Sequence, residues 1–205
     1  MPYQVPLSNG QVLPVPTKWA DVTLGQYVSL VAPEPGEPRT VAELLLGLEA
    51  DGLDALAADD VPYIANLIAF AGDSSPLLEL LPPPGLPDVG TLPWGCLVLV
   101  QQHFAAHPDR PDLFHLPYVL SVYRTQLAWG KVVEAKRAAC EAALLASPVT
   151  ECYAEGSFFL TACRKWSADT PPTKPTKMSP AMRNSKPTPT RRWLRDLGLR
   201  FRSTP

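Results

Sequence analysis

The chain has 205 residues, 46% of them hydrophobic and 25 of them proline, with a formal net charge of −2. That length and apolar content suit one cored domain with a tail, and the small net charge singles out no polyanionic partner by itself. No apolar run approaches the ~18 residues that cross a bilayer, so no membrane partner is expected.

The chain opens on "YQVPLSNGQVLPVP", which over residues 3–16 reads as a small hairpin. Asn9-Gly10 suits the two positive φ angles of a type I′ turn, and Pro6, Pro14 and Pro16 demote the arms to an edge ribbon. Thr23-Leu-Gly-Gln26 then fits a capping box: Thr23 accepts from a backbone N–H while Gln26 reaches back to the Thr23 amide. Val22 and Tyr27 fall at the staple positions, and Trp19 is left as an apolar plug sealing the ribbon onto the first helix. Thr40-Val-Ala-Glu43 repeats the box. A third helix is expected to start at Asp59 or Asp60, with Pro62 in its first turn and Gly72 as terminator, followed by a short turn at Ser75-Pro76.

Residues 82–93, "PPPGLPDVGTLP", hold too many prolines for regular structure and are expected to form a rigid connection. Beyond it, helices are predicted over about 94–106, about 112–128 with Pro117 at a kink or start, about 130–146, and about 149–167 with Gly156 as a break. Leu116, Val119, Leu120 and Tyr123 recur at three and four residues, as a one-sided buried face requires. The fold class is therefore mainly α: a compact helical domain over 1–169 with a small N-terminal β-hairpin.

Residues 170–205 differ in kind. They carry nine Lys/Arg and one acid, a net +8, which leaves −10 for residues 1–169. The polar, proline-rich part lacks the apolar residues that repay ordering, so a flexible, disordered tail is expected. At its end Trp193, Leu194, Leu197 and Phe201 share one side of a short amphipathic segment, 191–202, ringed by arginines. Three readings stay open for this tail: a solubilising extension, a non-specific nucleic-acid contact, or a peptide that docks on another protein or on the acidic body. The apolar anchors favour the last over nucleic acid, which the acidic body would repel.

Few residues suggest chemistry. Cys96, His103 and His107 fall on one helical stripe, a weak candidate metal site. Residue 104 is Phe, however, so the H-E-x-x-H pattern and its general base are missing. Cys140, Cys152 and Cys163 suit small buried hydrophobes, with no C-x-x-C spacing. Asp59-Asp60 reads as a helix cap. No P-loop, G-x-S-x-G or G-x-G-x-x-G pattern occurs, so neither an enzyme nor a bound cofactor is expected. The start of the chain lacks the basic-then-apolar pattern of a secretion signal, so a cytoplasmic protein with reduced thiols is expected.

The hairpin leading into "LPVPTKWADVTLGQYVSL", the mid-chain "LPYVLSVYRTQLAWGK" and the late "GSFFL" together resemble small helical proteins of tailed bacteriophages and prophages of Bacteroidetes-type hosts, which look like tail-assembly chaperones. The resemblance implies a non-catalytic protein of the host cytoplasm that coats the long tape-measure protein and recruits tail-tube subunits. It implies partner-binding grooves between helices around Tyr118, Tyr123, Trp129, Phe158 and Phe159. The alternatives are a structural virion component, such as a tail-completion or connector protein, and a nucleic-acid-binding accessory protein acting through 170–205. The sequence leaves the oligomeric state open.

Overall fold

A hairpin, a run of short helices and four longer helices follow one another along the chain. They are seen in a computed structural model that describes residues 2–33, 36 and 39–169, the side chains of 167–169 excepted. The expected tail, with Trp193, Leu194, Leu197 and Phe201, lies outside the described residues.

Strands β1 (Tyr3–Pro6) and β2 (Val12–Val15) pair antiparallel with Val5 opposite Leu13. Val5, Leu7 and Val15 are buried, so one face of the ribbon belongs to the core. The turn is not type I′. Gly10 alone takes a positive φ (+82°), its N–H donates to the Leu7 carbonyl at 2.9 Å, and the Leu7 N–H donates to the Gln11 carbonyl at 2.8 Å. This is the three-residue loop with a left-handed glycine bulge. The neighbours select it: the Asn9 Oδ1 accepts from the Gln11 N–H at 2.9 Å, and the Ser8 amide and hydroxyl both donate to the Asp60 carboxylate at 3.0 and 2.8 Å.

Asp60 is therefore not the expected helix cap. Its backbone is already helical (φ −79°, ψ −31°), a conformation in which its side chain caps nothing. The carboxylate clasps the hairpin turn instead, at the start of the third helix.

Helix α1 (Leu24–Val31) begins at the predicted capping box: the Gln26 N–H donates to Thr23 Oγ1 at 3.2 Å and the Thr23 N–H to Gln26 Oε1 at 2.9 Å. The Gln26 amide group also donates to the Leu45 carbonyl at 2.8 Å, joining α1 to α2 (Val41–Leu46), which has the same box at Thr40 and Glu43. The Thr40 amide, the first of several donors, holds the Glu43 carboxyl below its ordinary pKa; the Leu53 and Gly52 amides add to it. Trp19 is 7% exposed, edge-on to Tyr27 and Phe70, with its indole N–H on the Asp73 carbonyl at 2.8 Å. Helices α3 (Val61–Leu67) and α4 (Ser75–Leu78) are short. The connection 82–93 is irregular apart from one 3₁₀ turn, Val89–Thr91, where Asp88 Oδ1 accepts from the Gly90 N–H and Val89 is buried.

Helices α5 (Trp94–Ala106), α6 (Leu116–Trp129), α7 (Glu134–Ala146) and α8 (Val149–Asp169) follow. Helix α6 is the hub, packing against α5, α7 and α8. Its predicted face, Leu116, Val119, Leu120 and Tyr123, is buried. Pro117 sits in its first turn, after a 3₁₀ turn at Asp112–His115. Gly130, at φ +68°, ends α6 with its N–H on the Gln126 carbonyl, so α7 starts four residues later than predicted. Helix α8 runs unbroken through Gly156. A Cβ there would lie 2.5 Å from Leu116 Cδ2, so the glycine serves close packing of α8 on α6 and breaks nothing. The α7–α8 corner is tied back to α1: Leu24 N–H donates to Ser147 O, and Val149 N–H to Val22 O, both at 2.8 Å.

Candidate functional site

The polar feature with the most converging side chains lies where α5, the segment 107–115, α6, α7 and α8 meet. It gathers all three histidines of the chain. His103 lies flat on the Tyr118 ring, with centroids 3.8 Å apart and planes 3° from parallel. His107 and His115 approach His103 at 4.9 and 5.1 Å between centroids. His115 is fully buried between Phe104 and Phe114, at 4.8 and 5.4 Å.

Three guanidinium groups face the same rings: Arg110 over Phe114 at 4.3 Å, Arg137 over Tyr118 at 4.4 Å and Arg164 over Phe104 at 4.0 Å. Each is also held elsewhere. Arg137 pairs with Glu134 and Glu141 and donates to Ser121; Arg164 pairs with Asp112 at 2.7 Å; Arg110 donates to the Ala32 and Pro33 carbonyls at 2.8 and 3.1 Å.

Burial sets the acid–base character. Desolvation, with the charges of His115, His107 and Arg137 behind it, pulls the His103 pKa down to about 4. Burial and then Arg164 lower that of His115, although Asp112 and the nearby Arg110 carbonyl oppose this. His103 Nε2 and both nitrogens of His115 lack a hydrogen-bond partner: the carbonyl of Arg110 is close but outside hydrogen-bonding geometry. Both rings are thus neutral at physiological pH, and nothing stands ready to receive a proton from them.

The Cys96, His103, His107 set predicted as a weak metal candidate is not assembled. Cys96 sits a helix length away, with its thiol on Gln126 Oε1 at 3.5 Å, and among the described residues no three His, Cys, Asp or Glu side chains converge as metal ligands do. One helical stripe does not suffice, because α5 is long enough to send its two ends to different neighbours. Sequence spacing also missed His115, whose approach to His103 depends on the turn between α5 and α6.

The three buried thiols are poor nucleophiles. Burial pushes Cys96 and Cys163 up to about 11, and both line an apolar void of about 10 Å³ that also touches Val100, Val119, Val122 and Phe159. Cys152 is buried and shifted the same way by desolvation.

The predicted partner-binding residues divide. Tyr123 and Phe159 stack on each other at 3.5 Å, 2% and 0% exposed, so they belong to the core and meet no partner. Tyr123 lies on the inward face that the three-and-four spacing marks, and Phe159 meets it there from α8, so neither can line an open groove. Tyr118 is half-buried beneath His103 and Arg137. Trp129 and Phe158 do face solvent, at 46% and 37%, Trp129 with the Lys136 ammonium 4.5 Å from its ring centroid. A pair the sequence did not single out joins them: Trp94, 62% exposed, edge-on at 5.3 Å to Trp166, which brings the end of α8 against the start of α5.

The charge is also unevenly placed. Residues 1–93 carry twelve acids and two cations, whereas 94–169 balance at seven of each. Among the described residues, no helix is long and apolar enough to cross a membrane. Comparisons with protein-family models, curated proteins and solved structures find no match for this chain.

Proposed function

We propose that this chain is a non-catalytic protein-binding module acting in the host cytoplasm as a tail-assembly chaperone of a tailed bacteriophage or prophage. The supporting observation is that large aromatic side chains are left in solvent on a well-packed helical body, among them Trp94, Trp129 and Phe158. Tryptophan in particular marks the anchors of protein interfaces, because it buries much area at small entropic cost. The thiols support the non-catalytic part, since two of them hold their protons to about pH 11 and thiol chemistry needs the thiolate. The sequence resemblance supplies the identity of the partners, the tape-measure protein and the tail-tube subunit.

The test is co-purification from phage-producing cells, with wild-type bait beside Trp94→Ala and Trp129→Ala/Phe158→Ala baits. Retention of the tape-measure or tube protein by wild type, with loss of roughly tenfold or more in a variant that keeps its melting temperature, is the expected result. Stoichiometric presence of the chain in finished particles would instead indicate a virion component.

A further inference from the structure

We propose that the segment His107–His115 is a proton-operated strap, closed over the junction of α5, α6 and α8 by neutral imidazoles and released when His115 and His103 take up protons in mildly acidic solution. The inference does not depend on the identity of any binding partner.

The strap is held by contacts of two kinds. Its polar ties are of two sorts: Arg110, half-buried, donates to the carbonyls that end α1, at Ala32 and Pro33, and Asp112 pairs with Arg164 at the surface, with side chains 64% and 39% exposed. Its apolar anchor is inside: Phe114 and His115 insert among Phe104, His103 and His107. Residues 107–109 and 111–112 are exposed, so little else covers the segment. An exposed ion pair holds weakly, so the Arg110 ties and the buried anchor keep the strap down, and of these the anchor is the part that protonation can change.

That anchor has little provision for charge. Neither nitrogen of His115 has a hydrogen-bond partner, and burial and Arg164 outweigh the Asp112 carboxylate and the Arg110 carbonyl, which favour the charged ring. The charged groups facing the site come from every packed element. Helix α8 supplies Arg164 and α7 supplies Arg137, whose compensating Glu134 and Glu141 are engaged by its own guanidinium. The strap supplies His107, Arg110 and Asp112, the acid already paired to Arg164. Helix α6 supplies the neutral phenol of Tyr118, and α1 (Leu24–Val31) contains no charged side chain. A cation added beside these three guanidinium groups finds no free carboxylate among the side chains named, and an unpaired buried charge is relieved by moving to water. The element freest to move is the strap: it packs on α6, α1 and α8 through the short turn Asp112–His115 while 107–109 and 111–112 are exposed, whereas α6 packs along its length on α5 and α8.

The sign follows from the direction of the shifts. The closed form keeps His103 neutral down to about pH 4 and lowers His115 as well, whereas the open form protonates near the ordinary 6.5. Closure is complete above pH 6.5 and weakens progressively between 6.5 and 4.

The experiment is hydrogen exchange of the full chain read by mass spectrometry at about pH 7 and about pH 5, corrected for the intrinsic pH dependence of exchange, with His115→Phe in parallel. Protection of the 107–115 amides should fall about tenfold or more at the lower pH while α6 and α8 keep theirs, and His115→Phe should diminish that drop, leaving only the part that belongs to His103. A strap unprotected at both values, equally protected at both, or lost only together with α6 and α8 overturns the proposal. An undiminished drop in His115→Phe does so too. If that variant does not fold, the wild-type His115 Cε1–H resonance replaces it. Its titration midpoint should coincide with loss of strap protection, and titration near 6.5 with the strap still protected is equally fatal.

Discussion

At the scale of single residues, Gly156 shows most directly how a local rule yields to packing. A glycine inside a helix costs up to ~1 kcal/mol relative to alanine, so Gly156→Ala would stabilise α8 taken alone. In the folded protein the added methyl meets Leu116 Cδ2 at 2.5 Å and Cγ at 2.7 Å, and Leu116 is completely buried and has nowhere to go. Overpacking of this kind costs about 1–3 kcal/mol. The expected net effect is a loss of up to about 2 kcal/mol of unfolding free energy, read as a lower urea midpoint, and a stabilised Gly156→Ala would show that α6 and α8 are less tightly apposed. Trp19 is the opposite case, where the local and tertiary roles agree. It fills the space between Tyr27 and Phe70, and its N–H satisfies the Asp73 carbonyl. Trp19→Ala should cost about 3–5 kcal/mol by chemical denaturation. Trp19→Phe should recover part of that but leave the carbonyl unpaired. An unchanged midpoint in the alanine variant would mean the ring contributes nothing to the core.

At the scale of elements, the sequence was most legible where a signal is short-range. Both capping boxes are formed, α5 begins and ends where its apolar run does, and the inward face of α6 is the one its three-and-four spacing marks. It was least legible where two elements meet. The hairpin turn is held in part by Asp60, fifty-two residues from Ser8, and the start of α7 is set by the glycine that ends α6. Phe159 is core because α8 crosses α6 at Tyr123, and the histidine cluster needed the 3₁₀ turn at Asp112–His115 to bring its third member in.

The same dependence on neighbours governs Arg137, the buried cation joining α7 to α6. Burial works against its charge, but the Glu134 and Glu141 carboxylates more than offset that and raise its pKa. With its side chain only 8% exposed, Glu134→Gln/Glu141→Gln would leave a guanidinium without an anion, for which a loss of about 3–5 kcal/mol is expected. Glu134→Gln alone, at the 62% exposed rim, should cost less than about 1 kcal/mol. Denaturation curves of the three proteins test this, and a double variant no worse than the single one would show that Arg137 is solvated.

At the scale of the whole molecule, the protonation states tie the core to an alkaline limit as well as an acidic one. Cys96 and Cys163 hold their protons to about 11 in the folded chain against an ordinary 9.0, first because they are buried and, for Cys163, because Cys96 lies close. Tyr27, buried against Tyr153, is pushed up to about 12 from 10.0. These are acids whose folded pKa is raised, so the unfolded chain releases protons first. Their contribution is fully present below about pH 9 and is lost as pH rises towards 11. Two pKa units correspond to about 3 kcal/mol per thiol, a large share of the ~5–15 kcal/mol that holds a typical domain together. The urea midpoint should therefore be flat between about pH 7 and 8.5 and fall steeply by about pH 10.5, and Cys96→Ala/Cys163→Ala should start lower but slope less. The same burial predicts thiol accessibility. Cys140 is half-buried whereas Cys96, Cys152 and Cys163 are buried, so a disulfide reagent at about pH 8 should modify one thiol promptly and the other three only when urea opens the core. Prompt reaction of all four in the native chain, or an alkaline slope unchanged in the double variant, would place these sulfurs outside the core and remove the alkaline limit with them.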